Sequence, residues 1–172
     1  NSGPQASNEL MKLVQKTNIP VTTTLHGLGC YPGEDPKSLA MLGMHGTYEA
    51  NLAMNECDLM INVGARFDDR VTGRLDAFSP NSIKFHIDID QSSINKNVKV
   101  DYHTNTDITL SLKAINEHIE SRGVNFDQSQ YDQWWSQIEE WRGKNSLLYE
   151  QGDEVIKPQH AISRLYELTN QK

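Results

Sequence analysis

Several chemistries are excluded by what this sequence does not contain. No apolar run approaches the roughly 18 residues of a membrane-crossing helix, and no signal-peptide pattern opens the sequence. Its only cysteines, Cys30 and Cys57, stand far apart without a CxxC spacing. That excludes a disulfide framework or a thiol metal knuckle and suits a reducing compartment. Six histidines are scattered without an HExxH pair, so a zinc-hydrolase reading has no support. Positive charge is also scarce, with 16 Lys and Arg against 23 Asp and Glu in 172 residues, a net charge of -7. No basic stripe is available to follow a phosphate backbone, so nucleic acid is not the expected partner. The composition is that of an acidic, globular, intracellular chain with one sizeable core and some length left over.

Against these absences stands one dense stretch, Gly64-Ala65-Arg66-Phe67-Asp68-Asp69-Arg70-Val71-Thr72-Gly73. It follows Leu59-Met60-Ile61-Asn62-Val63, an apolar run with the length and β-preference of a buried strand. Glycine at the end of a strand marks a tight turn or a close backbone approach to a ligand. The two arginines carry planar, permanently charged donors suited to carboxylate or phosphate. Four charges beside a buried strand must be paired, hydrated or ligand-bound. A solvated loop with internal ion pairs satisfies that requirement as well as a ligand does.

The flanking segments alternate in type. Residues 1–18 read as a helix with Pro4 near its start and an apolar stripe through Leu10, Leu13 and Val14. Residues 19–24 read as a strand and 25–36 as a long excursion from its end, where open α/β sheets place ligand-binding loops. Leu42-Gly43-Met44-His45-Gly46-Thr47 leads into a helix through Cys57 with Thr47 as its cap. Such a turn can take an anion, although its GxxG is neither the dinucleotide fingerprint nor the P-loop. Leu75, Ala77 and Phe78 suggest a short packed turn. Residues 84–90 alternate as a strand that places His86, Asp88 and Asp90 on one face. A metal reading is disfavoured there because no further ligand cluster accompanies them. Asp88 instead suits a ribose hydroxyl, being roughly 20–25 residues beyond the turn glycine. Residues 98–102 suggest another strand, and Thr106 or Asp107 caps a helix carrying Ile108, Leu112, Ile115 and Ile119. Residues 121–130 read as a linker and 131–149 as a helix with Trp134, Ile138 and Trp141 on one stripe, which suits core or interface. Pro158 opens a last helix.

Three motifs together carry a resemblance: Leu42 to Thr47, Gly64 to Gly73, and His86-Ile87-Asp88-Ile89-Asp90 with Ile94-Asn95-Lys96-Asn97 behind it. They closely resemble the central domain of the acetohydroxyacid synthase (acetolactate synthase) large-subunit family, among the thiamine-diphosphate enzymes. The implied fold is α/β, a doubly wound, Rossmann-like, mainly parallel sheet flanked by helices and truncated at its first strand. Residues 1–120 would form this FAD-binding domain. Residues 121–172 would supply linker helices and, from Ile156-Lys157-Pro158-Gln159, the start of the thiamine-diphosphate domain.

The resemblance implies a part in condensing two 2-ketoacids, pyruvate with pyruvate or 2-ketobutyrate, with loss of carbon dioxide, in branched-chain amino-acid synthesis. Thr24, Leu25, Met44, His45, Gly64, Arg66, Asp68, Arg70, Val71, Asp88 and Ile89 would line FAD. Asp107 and Ile108 would follow at the adenine end, where the family has Gly-Asp and this chain has Thr106-Asp107. Arg70 and Met44 would also face the second ketoacid, and with Asp69 the binding place of sulfonylurea herbicides. Thiamine diphosphate and Mg2+ would be held by domains outside this sequence, so no catalytic residue is assigned and the stretch alone is expected to be inactive. Also implied are a cytoplasmic homo-oligomer and a small regulatory subunit. Two alternatives remain beside this reading. One is the middle domain of another thiamine-dependent decarboxylase, holding ADP or nothing; the other is a stand-alone nucleotide-binding scaffold.

Overall fold

The computed structural model describes residues 3–169. Asn1 and Ser2, included above in the first helix, lie outside the described residues. The first helix, α1 (Pro4–Thr17), starts on a proline, whose missing N–H costs nothing in a first turn. It ends on Asn18 in the left-handed conformation, φ 58°. β1 (Val21–Thr23) is shorter than the expected strand. Thr24 already turns the chain into a 3-10 turn, Leu25–Gly27.

β2 (Ser38–Met41) pairs in parallel with β1 and was not foreseen. Four residues are too few to establish a period of two, and Ala40 interrupts the ladder with φ 61°. The chain continues through α2 (Tyr48–Glu56), capped by the Thr47 hydroxyl, into β3 (Leu59–Val63), which is not the buried strand expected, since Leu59 is exposed and only Asn62 is buried. Within the arginine-rich stretch, Asp69–Thr72 forms a single helical turn, α3.

β4 (Ile83–Ile87) pairs in parallel with β3, and β5 (Tyr102–Thr104) pairs in parallel with β4. The expected strand 84–90 therefore stops at Ile87. Asp90 turns away to cap a 3-10 turn, Gln91–Ser93, so His86, Asp88 and Asp90 do not share one strand face. The expected strand 98–102 begins only at Tyr102. Val98 is drawn into the core instead, and the Asn95 side chain accepts from Val100 N at 2.9 Å.

α4 (Ile108–Ser121) packs against α1. Asn116 fastens the pair, donating to the Glu9 carbonyl and carboxylate, both at 2.9 Å. The helix expected over 131–149 begins as a 3-10 turn, Gln128–Tyr131, and runs as α5 (Asp132–Arg142) before Gly143 ends it. Its stripe packs on the domain's own flank: Ile138 is fully buried with Leu39, Ala50 and Ala53, ringed by Trp134, Trp135 and Trp141. Trp135 Nε1 donates to the Asn18 carbonyl at 3.0 Å, and Arg142 donates to the Pro36 and Ser38 carbonyls at 3.0 and 3.2 Å. α6 (Pro158–Leu168) opens on Pro158 as expected. Its Tyr166 hydroxyl bonds to Glu34 at 2.5 Å, but Ile162, Leu165 and Leu168 remain exposed.

The architecture is α/β, with parallel sheets β1-β2 and β3-β4-β5 flanked by helices. Among the described residues no helix is long and apolar enough to cross a membrane.

Candidate functional site

Parallel strands place the loops after β3, β4 and β5 at the same carboxyl edge. At β3 the ladder extends one step further, Gly64 N donating to Ile87 O at 2.8 Å with Gly64 at φ 67°. The Asn62 amide then closes the turn on Ala65, donating to its carbonyl at 2.7 Å and accepting from its N–H at 3.1 Å. This self-contained turn lifts the next residues clear of the sheet.

Arg66 and Asp68 face solvent as an ion pair, Nη2 to Oδ2 2.8 Å. An exposed pair of this kind contributes little stability and can exchange for a ligand at low cost. Between them Phe67 points the other way, into the core, with φ 54°. A bulky side chain in the left-handed region is strained and persists only where packing over-determines it. Here Phe78 and His86 meet its ring edge-to-face at 5.7 and 5.2 Å, and Asn97 donates to its carbonyl at 3.0 Å. The arginine arm is thus anchored by its one apolar member.

Arg70 and Val71 are joined to the Leu42–Thr47 turn. Met44 N donates to Arg70 O at 2.8 Å. Gly43 makes that approach possible, since a Cβ there would stand 2.4 Å from Arg70 O and its φ is 93°. Asn51 holds Gly43 from behind, accepting from its N–H at 2.8 Å and donating to its carbonyl at 3.0 Å. A groove of about 470 Å³ runs along this junction, lined by Met44, Met54, Asp69, Arg70 and Phe78.

Asp88 is buried at the end of β4, its N–H donating to Thr104 O at 3.2 Å and its Oδ1 accepting from Asp90 N at 2.8 Å. Asn105 donates to the carbonyls of Asp88 and Ile89 at 3.0 and 2.9 Å. Asp107 caps α4, accepting from Thr109 N and Leu110 N at 2.8 and 3.2 Å. Ile108 lies against Gly64, its Cγ2 being 3.8 Å from where a glycine Cβ would stand. Burial pushes the His86 imidazole below its ordinary range, and Asp88 only partly counters that. Hydrogen bonds from Ser92 hold the Asp90 carboxyl below the usual carboxylate range.

Two groups of the expected residues are therefore assembled. Gly64, Asp88, Ile89, Asp107 and Ile108 gather at the β3–β5 edge, while Met44, Arg70 and Val71 meet across the glycine junction. Thr24 and Leu25 sit at the end of β1 in the other sheet, and reach this region through Leu42 N donating to Thr23 O at 3.1 Å. His45 is exposed beside Met44. Leu25, Met44 and Ile89 stand 65%, 62% and 71% exposed, an apolar fringe around polar groups. Among the described residues no group of three or more His, Cys, Asp or Glu could hold a metal.

Asn51, Asn97, Asn105 and His86 were missed as organising residues. Asn97 stood in a motif that carried the resemblance, but Asn51 and Asn105 gave no sequence signal, because each reaches a backbone group brought near only by folding. His86 carried a signal, its position two residues before Asp88.

Comparison with known proteins identifies the family. Residues 2–115 match the family described as "Thiamine pyrophosphate enzyme, central domain". The acetolactate synthase large subunit of Haemophilus influenzae is 41% identical over 165 residues, 96% of this chain and 29% of that protein. The isozyme 3 large subunit of Escherichia coli K12 is 41% identical over 161 residues, 94% of this chain and 28% of that protein. The chloroplastic acetolactate synthase 1 of Zea mays is 42% identical over 166 residues, 95% of this chain and 26% of that protein. The chain spans under a third of the length of these curated relatives.

Proposed function

Since this chain belongs to the central-domain family of thiamine pyrophosphate enzymes, we propose that it is the FAD-holding middle part of an acetolactate synthase large subunit. The whole enzyme would condense two 2-ketoacids with loss of carbon dioxide. The observation that carries the reading is the junction of Met44 N with Arg70 O beside the β3–β5 strand ends. It joins the Leu42–Thr47 turn to the arginine-rich stretch that follows β3.

The residues present fit an extended dinucleotide. Strand-end glycines permit close backbone approach, Arg66 and Arg70 offer wet guanidinium groups for a pyrophosphate or carboxylate, and Asp88 offers a carboxylate for hydroxyls. Leu25, Met44 and Ile89 offer apolar cover for a flat ring. When bound, FAD would supply no net electron transfer to the reaction. Arg66 would exchange Asp68 for the pyrophosphate, Asp88 would hold a sugar hydroxyl, and Arg70 with Met44 would face the second ketoacid. Thiamine diphosphate and Mg2+ belong to the remainder of such an enzyme.

The division of the chain at residue 120, with the thiamine-diphosphate domain opening at Ile156-Lys157-Pro158-Gln159, belongs to the same proposal. So does a cytoplasmic oligomer. The words "large subunit" in the relatives' names support a smaller partner chain.

The test is titration of FAD into the purified protein, read by flavin fluorescence, with ADP as competitor. Arg66→Ala should weaken FAD by about tenfold or more, as expected for a charge-assisted contact of roughly 1.5–3 kcal/mol. Binding that Arg66→Ala and Asp88→Asn both leave unchanged overturns the assignment. ADP binding as tightly as FAD favours a different thiamine-dependent decarboxylase.

A further inference from the structure

Behind Asp88 lies a side chain with no role so far. The His86 side chain is completely buried, and neither ring nitrogen makes a hydrogen bond of normal length among the described residues, although the Ala65 carbonyl and the Asp88 carboxylate both act on the ring. Leaving a buried polar group unpaired is costly, so a ring needed only for packing against Phe67 would be better supplied by an apolar residue. The arrangement around it is specific. Nε2 stands 3.6 Å from Asp88 Oδ2, just beyond hydrogen-bond reach, while the other carboxylate oxygen, Oδ1, is held by Asp90 N at 2.8 Å. A carboxylate shift of well under 1 Å would close the second contact and leave it gripped from behind on both oxygens.

We propose that His86 is a positioning residue: its Nε2–H closes on Asp88 Oδ2 and aims the remaining lone pairs of Asp88 at a hydroxyl of the bound dinucleotide. This deepens the FAD reading and rests on it. The edge-to-face contact of His86 with Phe67, 5.2 Å between ring centres, also joins the carboxylate to the anchored arginine arm. The other strands present no competing carboxylate to the ring. Its register partners are Asn62 on β3 and His103 on β5, and Lys84, on the same face of β4, is committed to the Ser79 and Ser82 carbonyls.

The experiment compares His86→Phe, which keeps the ring shape without a donor, with His86→Gln, which keeps a donor. FAD affinity is measured alongside the melting temperature. The Phe variant should melt no lower than the native protein yet bind FAD about tenfold more weakly, with the Gln variant recovering most of the loss. Native-like FAD binding by the Phe variant, or equal losses in both variants, overturns the proposal. If His86→Phe does not fold, the FAD affinity of the Gln variant is read beside a separate 15N titration of the His86 ring in the native protein and in Asp88→Asn. Asp88→Asn should lower the ring's pKa and shift its Nε2 resonance, and an unchanged titration overturns the coupling. Should FAD fail to bind the native protein at any concentration, the cofactor assignment falls by itself. The ring titration then decides whether His86 and Asp88 act together.

Discussion

The α2–α5 flank and the strand-end rim resolve their apolar and polar residues in opposite ways. On the flank, Ile138 reaches full burial among Leu39, Ala50 and Ala53, and the tryptophan N–H and arginine guanidinium that edge it are spent on backbone carbonyls. At the rim, Leu25, Met44 and Ile89 remain exposed, Arg66 is paired only with the exposed Asp68, and Phe67 and Gly43 hold left-handed backbone. The flank stores stability, while the rim uses stability stored elsewhere to keep strained backbone and wet charges in place. Mutations should separate the two.

The largest effect should come from the flank. Ile138→Ala removes the centre of that cluster and should cost about 2–5 kcal/mol in denaturant unfolding. FAD affinity extrapolated to the folded fraction should be unchanged; a loss there would break the separation. Gly43→Ala attacks the rim's support. Combining a left-handed φ with a Cβ 2.4 Å from Arg70 O, it should cost roughly 2–4 kcal/mol and reduce FAD binding as well. A native-like melt would show that the Met44–Arg70 junction is looser than its geometry implies.

Asp107→Ala removes the cap of α4 and should lower stability by about 0.5–2 kcal/mol, measured as a fall in melting temperature. Because Asp107 is also assigned to the adenine end of the site, Asp107→Asn, which retains the cap, separates the two roles. Asn should restore stability without restoring full FAD affinity. The smallest effect is on pH. His86 titrates lower in the folded protein than its ordinary value of about 6.5. The unfolded chain therefore binds the extra proton first, and stability is fully present above about pH 6.5 and declines as pH falls towards the folded value. Melting curves across that window should show a slope that His86→Gln flattens.

Much of this division was readable in one dimension. The periodicity of Leu13 and Val14, the proline openings of α1 and α6, the Thr47 cap and the apolar run of β3 each express a local rule, and each element formed where the rule placed it. Errors gathered where tertiary contacts overrode local preference. β2 exists because β1 is beside it, Val98 left the ladder to fill the Phe67–Phe78 cluster, and α5 stopped at Arg142 rather than at Tyr149.

The candidate site followed the same division. Its residue types and their order after each strand could be read from Gly64 to Gly73 and from Asp88 and Asp107, because glycine, arginine and aspartate carry their chemistry wherever they stand. Their mutual placement could not be read that way. Asn97 reaching Phe67, Asn105 reaching Asp88 and Gly43 admitting Arg70 each join residues distant in sequence through groups with no periodicity. The sequence by itself determined an α/β chain with charged, glycine-bounded turns at its strand ends, since hydrophobic period and turn chemistry act locally. Only the tertiary structure decided that Phe67 points inward while Arg66 and Asp68 point out, and that His86 lies behind Asp88. Those outcomes depend on which side chains are already packed beneath them.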